Sequence, residues 1–148
     1  VIQVRILGRF RTVRYRQNVE RAVEELRRNR PNLKLELRTE FLSNAEFVNA
    51  LNCCDYILAP YLEFYGSSGV LGQAARLGKP VLSCRDGLLG EIVRKQSLGV
   101  TFDPSNALEF AHVIQSAVEG EVHIDLDSAK KFISTQSAEK FCQEITGI

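Results

Sequence analysis

Residues 59–84, APYLEFYGSSGVLGQAARLGKPVLSC, constrain the fold more than any other stretch. Two short apolar runs flank a loop of small residues, a helical segment from about Val70 to Leu77 and the turn Gly78-Lys79-Pro80, so the order is strand, loop, helix, tight turn, strand. A loop of small residues entering a helix presents unpaired backbone N–H groups at the positive end of the helix dipole, which suits a phosphate or carboxylate. Glycine at Gly66 and Gly69 lets such an anion approach the backbone. The same loop also reads as an ordinary serine cap on a buried helix. Its spacing matches neither the dinucleotide fingerprint nor the Walker loop, so by itself it names no ligand.

The alternation holds on either side. Residues 1–8, VIQVRILG, read as a strand, and the loop Arg9 to Arg16 carries four arginines in eight residues. Val19, Ala22, Val23 and Leu26 then recur at helical spacing from about Gln17 to Asn29, where Pro31 and Asn32 stop the helix. Leu33, Leu35 and Leu37 alternate with Lys34, Glu36 and Arg38, as in a strand with one polar face near a sheet edge. Ser43 or Asn44 caps a helix containing Phe47, Val48 and Leu51, and Tyr56 to Ala59 is a short buried strand. Val81 to Cys84 is another, followed by a helix with Leu89, Ile92 and Val93 and a last strand over Val100 to Phe102. Asp103 to Asn106 is a turn with its own cap; the next helix is expected to bury Leu108, Ala111, Val113 or Ile114, and Val118. Gly120 to Asp127 reads as a polar connection, and Ser128 to Ile145 as one or two helices with a break at Thr135 to Ser137.

Strands alternating with helices at this spacing predict an α/β domain with a mainly parallel sheet covered on both faces. At 148 residues the chain fits one domain over 1–148 that buries roughly two-thirds of its unfolded surface. In such sheets ligands bind at the carboxyl ends of the strands. The loops concerned are Gly8 to Arg16, Thr39 to Ser43, Pro60 to Gly69 and Ser83 to Gly87. Two of them, the arginine loop and the loop before Val70, are equipped for an anion, plausible for a diphosphate; taken alone, the arginines also read as a solvated basic face.

Net charge is near zero, with 19 basic and 18 acidic residues, so nothing global argues for nucleic acid or a membrane surface. Ten arginines nevertheless fall before position 39. Cys53, Cys54, Cys84 and Cys142 lack paired-dithiol spacing and sit in apolar context, which predicts reduced, buried thiols, no metal site and a cytoplasmic location; Cys53 and Cys54 read as core. His112 and His123 read as structural or solvent-facing. No run reaches the about 18 apolar residues of a spanning helix, and no signal peptide is visible. The absence of methionine, even at position 1, predicts a piece of a longer protein or a chain trimmed at its start.

The order of motifs resembles the C-terminal, nucleotide-sugar-binding half of a GT-B glycosyltransferase of the group 1, retaining type. Gly8-Arg9 followed by Arg14 or Arg16 resembles that family's glycine-arginine strand end with a later basic residue. Cys54-Asp55-Tyr56-Ile57-Leu58-Ala59-Pro60 resembles its Asp, apolar run, Pro strand. Gln73-Ala74 through Gly78-Lys79-Pro80-Val81 keeps the spacing of its Glu-Ala helix and Gly-x-Pro-Val turn. Gly87 to Glu91 resembles its Gly-Gly-x-x-Glu element, and Gly99 to Pro104 its last strand before a terminal helix pair. The resemblance spans nearly the whole chain.

It implies a Rossmann-like fold, one half of a GT-B enzyme, that transfers a sugar from a nucleoside diphosphate of UDP or GDP type to an acceptor. No metal or other cofactor is implied. Arg9, with Arg14 or Arg16, would contact the diphosphate beside Gly8, and backbone amides at Ser67, Ser68 and Gly69 would hold a phosphate. Gln73 would face the ribose hydroxyls. The family's carboxylate pair falls on Tyr65 and Gln73, and neither is acidic; Glu63 lies two residues early as a stand-in for the first. Acceptor groups and any catalytic base would come from an N-terminal domain, so this domain alone would bind nucleotide weakly and turn over nothing. The missing carboxylates leave open a degenerate domain that serves as a binding or scaffold module, and Glu91 a plain surface charge.

Overall fold

Helices and strands alternate from one end of the chain to the other. The structure, a computed structural model, describes residues 2–10, 12–62 and 69–135. The elements are β1 (Ile2–Leu7), α1 (Val13–Asn29), β2 (Leu33–Arg38), α2 (Asn44–Asn52), β3 (Ile57–Ala59), α3 (Gly69–Arg76), β4 (Val81–Cys84), α4 (Gly87–Lys95), β5 (Gly99–Phe102), α5 (Ala107–Val118) and α6 (Leu126–Thr135). Every strand pairing is parallel, in one sheet ordered β1-β2 and another ordered β3-β4-β5, so the α/β class with parallel strands is observed. The chain divides into two compact units, Val1–Phe47 and Val48–Ile148, with the boundary inside α2.

The first unit is a βαβ crossover, the connection that parallel neighbours require. β1 and β2 pair from Ile2↔Leu33 to Leu7↔Arg38, which sets Arg5 directly opposite Glu36. The Arg5 guanidinium grips that carboxylate as a fork, Nε to Oε2 at 2.7 Å and Nη2 to Oε1 at 3.1 Å. The arginine's hydrogen bond holds the Glu36 carboxyl below its ordinary pKa. Neither strand contains a fully buried residue, and Val23 is the buried residue of α1. Arg27 reaches from α1 to donate to the Leu35 carbonyl at 2.8 Å while pairing with Glu24.

α1 starts four residues earlier than the apolar spacing predicts. Thr12 is its N-cap, with Oγ1 accepting from the Tyr15 N–H at 3.1 Å. Arg14 and Arg16 therefore belong to the first helical turns and not to the loop. The first turn carries no apolar period, so a reading based on period alone begins too late.

Ser43 and Glu46 form a capping box at the start of α2. The serine N–H and Oγ both donate to Glu46 Oε2, at 2.9 and 2.8 Å, and Ser43 Oγ accepts from the Glu46 N–H at 3.3 Å. Those two serine bonds and Arg38, at 3.3 Å, depress the Glu46 pKa.

The second unit has the deeper core. All four residues of β4 are buried between β3 and β5, which is why VLSC reads as an unbroken small-to-apolar run. The Ser83 hydroxyl, buried there, donates to the Cys84 carbonyl at 3.1 Å. Phe102, Leu82, Ala117 and Val122 cluster with Phe110, Val113 and Ile114, and the Phe102 and Phe110 rings lie 5.3 Å apart. Val122 thus carries the connection expected to be merely polar into the core.

α5 turns Val113 and Ile114 inward as expected, but the rest of its buried stripe differs from the expected one. Leu108, Ala111 and Val118 are exposed, whereas Phe110, Val113, Ile114 and Ala117 face the core at i, i+3, i+4 and i+7. The helix is apolar on two sides, so period alone could not choose between them. The cysteines are corrected as well: Cys53 is exposed and Cys54 half-buried at the end of α2, and Cys84 alone of the described thiols is buried. Cys142 lies outside the described residues, as does the part of the expected break at Thr135 to Ser137 that follows Thr135, the last residue of α6.

Candidate functional site

β1 ends at Leu7, and Gly8 extends the pairing by one bond, its N–H donating to the Arg38 carbonyl at 3.1 Å. The chain then turns through exposed Arg9 and half-buried Phe10. The Phe10 ring meets Tyr15 edge-on, with centroids 5.6 Å apart, tying the loop to the first turn of α1. Gly8, Arg9, Arg14 and Arg16 are thereby all placed by one strand end and one helix start. Arg16 pairs with Glu20 at 3.4 Å, while Arg9 and Arg14 form no ion pair among the described residues.

This end of α1 is electrostatically unfavourable as it stands. The first turn has no acidic residue, yet helix starts favour anions, and here guanidinium groups accumulate instead. Among the described residues, Thr12 caps one of the orphan N–H groups, that of Tyr15. A multiply charged anion would relieve the repulsion and accept the free donors. Guanidinium forks match phosphate oxygens in geometry as well as charge.

In the second unit the carboxyl ends of β3, β4 and β5 lead into α3, α4 and α5. Gly69 opens α3 and is exposed, and Gln73 lies one turn further in, half-buried. α3 also lacks an acid in its first turn. Glu63, Ser67 and Ser68, with Tyr65 and Gly66, lie outside the described residues.

The turn after β4 belongs to the Ser83 to Gly87 loop that sequence reasoning placed at a carboxyl strand end, although none of its residues was assigned to a ligand. Arg85, Asp86, Gly87, Leu88, Glu91 and Arg94 line a surface groove there. Asp86 occupies the N-cap of α4 without making a side-chain cap bond, and Gly87 has φ +79°, a conformation glycine adopts freely. Arg85 pairs with Glu109 of α5, and Glu91 with Lys95 at 2.5 Å, a contact that lowers the Glu91 pKa. Burial raises the Cys84 thiol pKa, so it stays protonated.

α5, by contrast, caps itself. Asn106 Oδ1 accepts from the Leu108 and Glu109 N–H groups, both at 3.1 Å. Asp103 accepts from the Ser105 hydroxyl and N–H, which lower its pKa.

Among the described residues no three His, Cys, Asp or Glu side chains group to hold a metal. No described helix is long and apolar enough to cross a membrane.

The structure of Anabaena Alr3699/HepE in complex with UDP superposes on 99% of this chain with a TM-score of 0.70 at 17% identity. The likeness is one of fold. AviGT4, a glycosyltransferase involved in avilamycin A biosynthesis, is 18% identical, with a TM-score of 0.46 over 99% of the chain. The chain spans 41% of the first of these proteins and 44% of the second. No protein-family model and no curated protein match it.

Proposed function

We propose that this chain is the nucleoside-diphosphate-sugar-binding part of a glycosyltransferase, of the retaining group 1 GT-B type, with UDP as the nucleotide. The observation that carries the reading is the accumulation of Arg9, Arg14 and Arg16 at the positive end of α1 with no acid in its first turn. The likeness in fold to a protein solved with UDP supports it.

In this reading Arg9, with Arg14 or Arg16, binds the diphosphate beside Gly8, and the backbone from Ser67 to Gly69 takes a phosphate. Gln73 accepts a hydrogen bond from a ribose hydroxyl. Fixed guanidinium and amide donors would stabilise the negative charge that develops on the departing diphosphate, the role that a metal plays elsewhere. The acceptor and any catalytic base belong to an N-terminal domain outside this sequence. The reading places the protein in the reducing cytoplasm, where free thiols such as Cys84 persist.

Calorimetry with UDP, GDP and ADP and their sugars tests this directly. UDP should give the strongest binding, and Arg9→Ala should weaken it by roughly tenfold, the loss expected for one charged hydrogen bond. No heat with any of the three nucleotides would overturn the reading. It would favour a degenerate, non-catalytic binding module, for which the amide at Gln73 in place of a carboxylate is the supporting observation.

A further inference from the structure

The turn between β4 and α4 is held by more contacts than a connecting turn needs. The Arg85 N–H continues the β4–β5 ladder by donating to the Phe102 carbonyl at 2.7 Å. The Arg85 carbonyl in turn accepts from Arg94 Nη1 at 2.7 Å, across one face of α4. Cys84 Sγ lies 3.6 Å from the Asp86 carbonyl. Gly90 packs so tightly on the turn that a Cβ there would stand 2.2 Å from the Arg85 oxygen and 2.5 Å from that of Cys84.

Backbone groups of Arg85 and Asp86 are thus fixed, while Arg85, Asp86, Gly87 and Leu88 remain exposed. A turn fixed from behind and open in front is pre-organised, and binding then forfeits little conformational freedom. The turn also stands at a carboxyl strand end, where ligands bind in parallel α/β sheets.

We infer that Arg94 and Gly90 are positioning residues that hold the Cys84–Leu88 turn in the shape that meets the nucleotide. The inference rests on the proposed nucleotide-binding function. Arg94 touches no ligand in it; the guanidinium acts through the Arg85 carbonyl, and the absent Gly90 side chain allows α4 to approach.

UDP calorimetry and amide hydrogen exchange on the whole chain test it together. In the parent chain, saturating UDP should slow exchange at Gly87 and Leu88. Arg94→Ala should lose that protection and bind UDP roughly fivefold to tenfold more weakly, as the turn loses its pre-organisation. Arg94→Lys, which keeps one donor for the carbonyl, should recover most of both. Gly90→Ala should weaken binding further if it folds, and the arginine variants decide the matter if it does not. A parent chain that binds UDP with unchanged exchange at Gly87 and Leu88 would overturn the inference while leaving the proposed function intact. So would an Arg94→Ala chain that binds like the parent. A parent chain that binds no nucleotide would sink both.

Discussion

In the first unit one described residue, Val23, is buried, whereas the second closes on Phe102, Leu71, Leu89, Leu98, Val81 and Val93. The strands differ in the same way: β1 and β2 have no fully buried residue, and β4 has no other kind. The first unit is held by directed polar contacts, such as the Arg5–Glu36 fork across the strands and the Arg27 bond to the Leu35 carbonyl. Directed contacts of that sort add little net stability each, while apolar burial accumulates with area. The contrast teaches that cohesion and charge are kept apart. The second unit supplies most of the hydrophobic stabilisation, and the first can carry unneutralised guanidinium groups at a helix start.

The largest effect should come from the packed core. Phe102→Ala removes a fully buried ring from among Leu82, Phe110 and Ala117, and should cost roughly 3–5 kcal/mol in denaturant unfolding. A loss below about 1 kcal/mol would break the comparison, since the second unit would then not depend on its core.

Next comes a charge reversal in the first unit, where stability and binding should move in opposite directions. Arg14→Glu places an acid in the first turn of α1 and should stabilise the helix by about 0.3–1 kcal/mol. The same change should weaken UDP binding by more than roughly tenfold, because it sets a carboxylate where a phosphate is proposed to bind. Melting temperature and calorimetry on the one variant check both halves. Joint loss of stability and binding would mean that the arginines serve the fold.

The smallest effect concerns pH. The Arg5 bond lowers the folded-state pKa of Glu36 below its ordinary value of 4.5. The stabilisation is therefore present above that value and is lost as the pH falls through the lowered pKa. Glu36→Gln should reduce stability slightly at pH 7, and the gap from the parent chain should close toward pH 3. Urea midpoints at the two pH values measure it. A gap that persists at low pH would assign the contact to packing and not to charge.

The strand–helix alternation was legible because each element advertises itself locally. VLSC is an unbroken run because it is buried on both sides, and Leu33, Leu35 and Leu37 alternate because their strand is not. The candidate residues were legible one at a time, from glycine, serine and arginine in loops at carboxyl strand ends. The start of α1 was missed because the apolar residues of its first turn, Val13 and Tyr15, are exposed and off the helical period, and its cap, Thr12, precedes that period. The stripe of α5 was read correctly only at Val113 and Ile114 because that helix offers two apolar faces, and the bond that holds the turn after β4 was not legible because nothing in Arg85 or Arg94 marks a tertiary contact.

What the sequence determined on its own is the kind and order of the elements, together with the excess of arginine near the start, because period, caps and charge are properties of neighbouring residues. Only the tertiary structure decided which face of α5 is inside, that Cys84 and not Cys53 is buried, and that Arg94 holds the Arg85 carbonyl. Those outcomes depend on which surfaces meet. Burial and long-range hydrogen bonds are settled by partners distant in the chain, and no local pattern records them.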